Sequence, residues 1–557
     1  MIKPVKYRQS KTIDQQNMAK YIVHHSKNLI ARYSPISSHL NQTNPKQRQP
    51  IKKHSKILEV QDITSSAGYS LNSKTAFQNE HFSSRIRNRS ASLSEFHLQA
   101  WDDICETRSK TIFKSFNSLK SLRRFELCFV EYQFPTTGSL HSLFKRLLFF
   151  KKMTRLSFLA FHCHNFAMRH LSALCSSLVR SPQLQSLTLV FNSEDQHLNI
   201  LIPALPKLTS LANFCLSLKG ESSIQTGNIQ QLLLAFSTIA TLTDITLHLN
   251  HCEINFETSS LEPLAEGLQY LNASTIRKLA LDPYKNLTDK RLVRISQVLE
   301  KFTSLQILHL GLPSSQEITN EGLKQLSSTL NGFGSLTSLS LNFLGFTQDL
   351  ALAFQSLQSL VSLKLKFQNP NPSQDQIQLL SSGLKARKIP LKFLTINFAE
   401  QSSLSDSMIE SLASALEELS LLKHFSLNLT STFNLTSKGI EALSFAIQRL
   451  SNLSSLSLIL AKNQGIDVKA VSALSQALQG LSLLHSIELD LLQCYQLNSE
   501  GNGYQSFFSA LNEMKNVCKL QLRLPVCPNL TQEVNKLKQR FDLRTYEFLN
   551  CLDLRTL

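Results

Sequence analysis

The chain has 557 residues, 42% of them hydrophobic and 18% charged, with a formal net charge of +18. That apolar content excludes fibrous, collagen-like and wholly disordered classes and leaves a foldable chain. The apolar runs, such as 147–150 and 456–460, fall far short of the ~20 residues that cross a bilayer, so no membrane span is expected. The basic start has no apolar core of about 7–15 residues behind it, so no secretory signal is expected either. Ten cysteines without regular spacing suit the reduced thiols of a cytoplasmic or nuclear protein.

The head comes first. Residues 1–100 hold sixteen Lys and Arg against five Asp and Glu, which is +11 of the total +18. Rich in Ser, Asn, Gln and Lys, residues 1–95 read as a disordered basic region. Within 12–33, Ile13, Met18, Tyr21, Ile22, Leu29, Ile30 and Tyr33 fall near helical spacing and predict a short amphipathic helix. Lys52, Lys53 and Lys56, and then Arg85, Arg87 and Arg89, form runs able to meet phosphate or an import receptor. Ser90 and Ser92 sit beside Arg89, where phosphorylation would insert negative charge into a positive segment, so both are candidate regulatory sites. Over 96–118, Trp101, Ile104, Ile112, Phe113 and Phe116 predict a capping helix.

From 119 onward one pattern recurs, seen in Leu336-Thr-Ser-Leu339-Ser-Leu341-Asn-Phe343. Alternation with period two means a strand. The fourth position of each copy is Phe125, Leu156, Leu187, Phe214, Ile245, Leu279, Leu308, Leu339, Leu363, Leu394, Phe425, Leu456, Ile487, Leu520 and Tyr546. Eight of the fourteen steps between them are 31 residues, a register that leucine abundance alone does not preserve. Between strands, Leu323, Leu326 and Leu330, or Ile440, Leu443 and Ile447, recur at helical spacing. Thr288, Thr319, Ser405, Thr436, Asp467 and Asn498 stand where each helix should start and are predicted caps.

A strand-plus-helix unit of this size cannot bury its own apolar face, so stacked units must share one core between a sheet and a row of helices. Strands stack about 4.8 Å apart and helices need about 10 Å, which predicts a curved horseshoe with parallel strands on the concave face and helices on the convex face. The fold class is therefore an α/β solenoid of about fifteen repeats over 119–557, behind the head and the cap.

The pattern LxxLxLxL followed by a Thr- or Ser-capped helix with LxxLSxxL resembles the leucine-rich repeat, and specifically the long-repeat subtype of ribonuclease inhibitor. The resemblance covers about 119–550 and implies a repeat-array fold. Similar arrays occur in cytoskeletal and ciliary adaptors and in ubiquitin-ligase substrate receptors. One branch, the Ran GTPase activators, uses a loop arginine and carries an acidic tail, whereas this sequence ends Asp553-Leu-Arg-Thr-Leu557. The subtype's asparagine after the strand, which ties loop amides together, is matched by Asn192 and Asn250. Pro313, Leu344, Gln368 and Thr430 stand at equivalent places, which predicts a longer strand and a different loop.

Chemistry finds no home. There is no phosphate-binding glycine loop, zinc-protease helix motif, Gly-x-Ser-x-Gly elbow, kinase signature or Cys-x-x-Cys pair, so no enzyme, cofactor, metal or small-molecule substrate is expected. His162, Cys163 and His164 with His170 are suitable metal ligands by type, but adjacent loop side chains point apart and the cluster reads as ordinary loop.

The variable strand positions face the inner wall. Two basic clusters stand on it: Lys364, Lys366, Lys392, Lys423 and His424 from three consecutive repeats, and Arg123, Arg124 and Arg155 at the N-terminal end. Both are candidate contacts for a partner protein with an acidic surface. The wall has almost no aromatic residue but Phe393, so base stacking is not expected and nucleic acid would meet the chain only nonspecifically, through the head. The leading expectation is a non-enzymatic scaffold. An anion- or nucleic-acid-associated protein acting through its head, and a GTPase activator, are the alternatives.

Overall fold

A computed structural model describes residues 56–59, 93–100 and, short stretches apart, 122–524, together with Leu537. All lie in one compact unit, Ser55–Leu557. The segment 12–33, Ser90, Ser92, Trp101 with the remainder of the expected cap, and Tyr546 lie outside the described residues.

The strands are Lys56–Glu59 (β1), Leu93–Ala100 (β2), Arg124–Val130 (β3), Arg155–Phe161 (β4), Ser186–Asn192 (β5), Asn213–Lys219 (β6), Ser223–Gln225 (β7), Asp244–His248 (β8) and Glu253–Asn255 (β9). They continue as Lys278–Asp282 (β10), Ile307–Gly311 (β11), Ser338–Phe343 (β12), Ser362–Phe367 (β13), Phe393–Asn397 (β14), His424–Asn428 (β15), Ser455–Ile459 (β16), Ser486–Asp490 (β17) and Lys519–Arg523 (β18). Sixteen of them form a single sheet in chain order, and β7 pairs with β9 in a separate ribbon. Every pairing in the large sheet is parallel, and the register carries the predicted position of each copy onto the next, from Phe125–Leu156 through Leu339–Leu363 to Ile487–Leu520. The expected leucine-rich repeat solenoid is therefore the observed fold, with one strand per repeat.

From β4 onward, among the described residues, helices return the chain between strands of the large sheet: Met168–Leu178 (α1), Asp195–Leu201 (α2), Thr226–Ser237 (α3), Pro263–Leu268 (α4), Asp289–Leu299 (α5), Asn320–Asn331 (α6), Gln348–Ser356 (α7), Gln374–Lys385 (α8), Asp406–Leu416 (α9), Ser437–Gln448 (α10), Val468–Gln479 (α11) and Gly503–Glu513 (α12). Core-facing strand residues such as Leu394 and Ile396 pack with helix residues such as Ile440, Leu443 and Ile447 in one continuous buried cluster. Burying a Leu or Ile side chain contributes about 1.5–3 kcal/mol, and no single repeat encloses its own. The serines of the LxxLSxxL pattern are buried too. Ser327, Ser444 and Ser475 each donate to the carbonyl four residues back at 2.7 Å, which satisfies the hydroxyl inside the helix and leaves a small residue where neighbouring helices meet.

The sheet starts earlier than the repeat count predicted. Residues 96–100, expected in a capping helix, belong to β2, with Phe96 opposite Phe125 and Leu98 opposite Leu127. The reason is visible in Leu93-Ser-Glu-Phe96-His-Leu98-Gln-Ala100, whose period-two alternation is the repeat pattern one step upstream. Lys56–Glu59, placed in the disordered head by composition, supplies β1 and pairs with the otherwise open edge of β2.

Of the predicted caps, Thr319, Thr436 and Asp467 accept from a first-turn amide, as does Thr347. Thr288 and Ser405 occupy the cap position without that bond. Asn498 ends a 3-10 turn, Tyr495–Asn498, and α12 starts only at Gly503. The tie between loops is made by Asn463, further along than the sequence comparison placed it. Fully buried, its Oδ1 accepts from the Thr432 amide at 2.7 Å and the Thr432 hydroxyl at 3.0 Å, and its Nδ2 donates to the Leu429 and Leu460 carbonyls. Glu400, Ser431, Lys462 and Gln493, spaced at 31 residues, all have φ between 59° and 66°. The left-handed turn costs about 1–2 kcal/mol per residue. Backbone bonds from Glu400 to Thr430, Ser431 to Ala461 and Lys462 to Leu492 offset it along the loop edge.

Candidate functional site

Because side chains alternate across a strand, the face opposite the core is a wall whose columns follow the sheet register. One column runs Ser340, Lys364, Thr395, Ser426, Ser457 and Glu488 over β12–β17, and the next runs Asn342, Lys366, Asn397, Asn428, Ile459 and Asp490. The structure brings the predicted central cluster together on three adjacent strands. Lys364 and Lys366 stand on β13. Lys392 and Lys423 directly precede β14 and β15, where the Lys423 amide bonds the Lys392 carbonyl at 2.8 Å. Lys366, Lys392 and Lys423 are exposed and Lys364 is half-buried.

His424, half-buried, is part of an aromatic pair. Its ring stacks on Phe393 with centroids 4.5 Å apart and planes 7° from parallel. Partial burial, and next the Lys423 charge, push its pKa below the ordinary value, so near neutral pH it offers an uncharged ring to the wall. In the N-terminal cluster Arg124 and Arg155 are paired neighbours on β3 and β4, and Arg123 and Arg155 are exposed. Arg124 lies 3.5 Å from the carboxylate of buried Glu126, so part of its charge is already matched.

Sequence reasoning missed a polar cluster between these patches. Asp282 on β10 is held from both sides. His248 of β8 bonds its Oδ2, and His309 of β11 donates Nε2–H to its Oδ1 at 2.7 Å while Nδ1 meets the Ser340 hydroxyl at 2.7 Å. Burial works to raise the Asp282 carboxyl, but the hydrogen bonds from His248 and His309 outweigh it and hold the group well below the usual carboxylate range. Space for that carboxylate comes from Gly311, where a Cβ would overlap Asp282 Oδ1. The one legible signal was this glycine at the end of β11, where β12 and β13 carry Asn342 and Lys366. Further along, Asp490 pairs with Arg523 at 3.2 Å and Glu488 accepts from Ser457 at 2.8 Å.

Two asparagines of the wall have a fixed orientation. Asn397 Oδ1 accepts from the Ala399 amide at 2.9 Å, and Asn428 Oδ1 accepts from the Thr430 amide at 3.0 Å and the Thr430 hydroxyl at 2.7 Å. Asp490 makes the same turn with the Leu492 amide at 3.0 Å.

Of the histidine and cysteine residues weighed as metal ligands, 162–164 lie outside the described residues and His170 is fully buried on α1. Among the described residues no group of three or more His, Cys, Asp or Glu converges to hold a metal ion. No helix among them is long and apolar enough to cross a membrane. Burial pushes the Cys175 thiol up to about 12 and the Cys494 thiol up to about 11, which leaves both unreactive.

No protein-family model matches the chain, and no curated protein does. Among solved structures, it is similar to the crystal structure of the Rad7 and Elc1 complex in yeast, with 15% identity, 88% of this chain and 96% of that chain covered, and a TM-score of 0.44. A TLR13–ssRNA13 complex shares 16% identity over 76% of this chain and 62% of the other, with a TM-score of 0.34. Leiomodin-1 actin-binding site 2 shares 18% identity over 27% of this chain and 78% of the other, with a TM-score of 0.22. At these distances neither partner nor activity passes from them to this chain. The fold stands on its own repeat register: the chain is a leucine-rich repeat solenoid.

Proposed function

We propose that this solenoid, of the ribonuclease-inhibitor-like long-repeat subtype, is a non-enzymatic scaffold that holds an acidic partner protein across β13–β15. One observation carries the reading. Over five consecutive strands, β12–β16, the wall is built from Ser, Thr, Asn and Lys with Phe393, His424 and Ile459, and it has no carboxylate. Carboxylates stand on either side, Asp282 on β10 and Glu488 on β17, each engaged by a neighbour. A positive stretch between two self-satisfied acidic positions steers and registers a negative surface. Arg123 and Arg155 give the partner a second anchor, and Ser90 and Ser92 are proposed as regulatory positions in the head.

The test compares partner capture by the full chain and by a Lys366→Glu/Lys392→Glu/Lys423→Glu variant. All three side chains are exposed, so the variant should fold like the parent and lose the captured proteins. A second reading, anion contact through the head, is favoured by the +11 carried by residues 1–100. Equal capture by the variant, together with a steep loss of binding as salt rises, decides for the head.

A further inference from the structure

Asn342, Lys366, Asn397 and Asn428 are neighbours in register on β12, β13, β14 and β15. They form one row across the strands, with about 4.8 Å between members and about 14 Å from end to end. In Asn397 and Asn428 the side-chain oxygen is already used by the chain's own turn, at 2.9 Å and 3.0 Å. Asn428 Oδ1 accepts from both the Thr430 amide and hydroxyl, so that side chain has its Nδ2–H₂ donor left to offer, and Asn397 offers the same donor with one lone pair beside it. Lys366, next to Asn397 in the row, is exposed and also donates only.

The turn does not require asparagine. Asp490 stands at the equivalent position of β17 and accepts from Leu492 in the same way at 3.0 Å. It also presents its second oxygen to Arg523 at 3.2 Å. The turn itself therefore accepts amide or carboxylate, and where this row carries the carboxylate at 490 a cation, Arg523, matches it; the amides at 397 and 428 keep the row free of negative charge.

We infer that this row binds an extended Asp- and Glu-rich segment of a partner protein, laid across β12–β15 along the axis of the repeats. The inference rests on the basic-wall reading and deepens it. Fourteen ångströms is about four to five residues of extended chain. Lys364, Thr395 and Ser426 form the adjacent column of donors. Glu400, exposed three residues beyond Asn397, repels an acidic chain and limits the site on that rim. Carboxylates fit better than phosphate esters. Phosphate recognition favours several donors converging on one group, most often with arginine forks. This wall spaces single donors one strand apart and has no arginine on β12–β16.

The probe is a fluorescein-labelled octaglutamate peptide, titrated onto the full chain by anisotropy in low salt. Asn397→Asp/Asn428→Asp keeps both turns and places two carboxylates in the row. Its affinity should fall at least tenfold with the melting temperature unchanged. Ser426→Asp, half-buried in the adjacent column with no turn to make, is the second variant and should also weaken binding. Parental affinity in both, with Lys366→Glu weakened, overturns the donor row and leaves the basic wall standing. Parental affinity in all three overturns both. Tighter binding of an octaphosphoserine peptide, lost in the same variants, overturns the choice of carboxylate.

Discussion

Asp289 and Gly322 make the sharpest test of how successive repeats lock together. Asp289 opens α5, yet its carboxylate serves the start of α6, one repeat later. Oδ1 accepts from the Thr319 amide at 2.9 Å and the Gly322 amide at 3.1 Å, and Oδ2 accepts from the Thr319 hydroxyl at 2.5 Å. Losing a helix cap costs about 0.5–2 kcal/mol, and an anion at a helix N-terminus contributes about 0.3–1 kcal/mol. Asp289→Ala should therefore cost about 2 kcal/mol. A Cβ on Gly322 would overlap Asp289 Oδ1, so Gly322→Ala displaces the carboxylate and loses the same bonds. Alanine's helix preference returns about 1 kcal/mol, for a net cost of about 1 kcal/mol. Once Asp289 is alanine the main obstruction is gone; Leu292 Cδ2, 3.2 Å from the added Cβ, is the end of a flexible side chain and yields by a few tenths of an ångström, so Gly322→Ala should stabilise by up to about 1 kcal/mol. The glycine substitution changes sign between the two backgrounds, a coupling of about 2 kcal/mol. Hydrogen exchange over 319–331 reads it locally, where 2 kcal/mol is about a thirtyfold change in opening. If Gly322→Ala costs the same in both backgrounds, the carboxylate does not occupy that space and the inter-repeat cap is refuted. The same arrangement joins Asp406 to Thr436 and Gly439.

Two further outcomes follow from groups under and on the wall. Asn463→Ala removes four bonds at a fully buried site, and with each unsatisfied buried group costing about 1–3 kcal/mol the loss should reach about 3–5 kcal/mol, read as a lower urea midpoint. Thr432 Oγ1 keeps its bond to the Leu429 carbonyl at 2.9 Å, which holds the cost below the sum of all four. For Asp282 the folded carboxyl is held below its ordinary value, so in acid the unfolded chain takes up the proton first. The Asp282 contribution is complete above about pH 4 and is lost as pH falls further. Urea midpoints from pH 7 to pH 2.5 should show a smaller acid loss in Asp282→Asn, and parallel curves for the two proteins would contradict the assignment.

The strands were legible because each one states its own alternation, and every predicted strand position among the described residues, Phe125 to Leu520, has its partner in register. Leu93-Ser-Glu-Phe96-His-Leu98 states it too; the composition of the head and the apolar residues after Trp101 outweighed it. The caps were half legible, since Thr288 and Thr319 look alike in sequence and only Thr319 bonds its first-turn amide. The polar ties were not legible. Asn463 acts four residues after β16 on carbonyls as far back as residue 429, and the length of the intervening loop is not written in a strand pattern. Asp282 meets His248 and His309 across 34 and 27 positions, and the space it fills exists only because Gly311 has no side chain.

The alternation that made the strands readable also separates what holds the solenoid from what the solenoid holds. Leu394 and Ile396 are fixed by the core, whereas Thr395 and Asn397 between and beside them face the wall, where packing demands little. A carboxylate is no obstacle to the strand there, since β10 and β17 carry Asp282 and Asp490 at their ends and remain paired on both sides. Each of those two is matched by a neighbour, His248 and His309 for Asp282 and Arg523 for Asp490, and the strands between them, β11–β16, carry none on the wall, which leaves that stretch open to a negative partner. Wall substitutions that keep the turns should change binding and leave unfolding alone, while Asn463, hidden behind the same wall, should do the reverse.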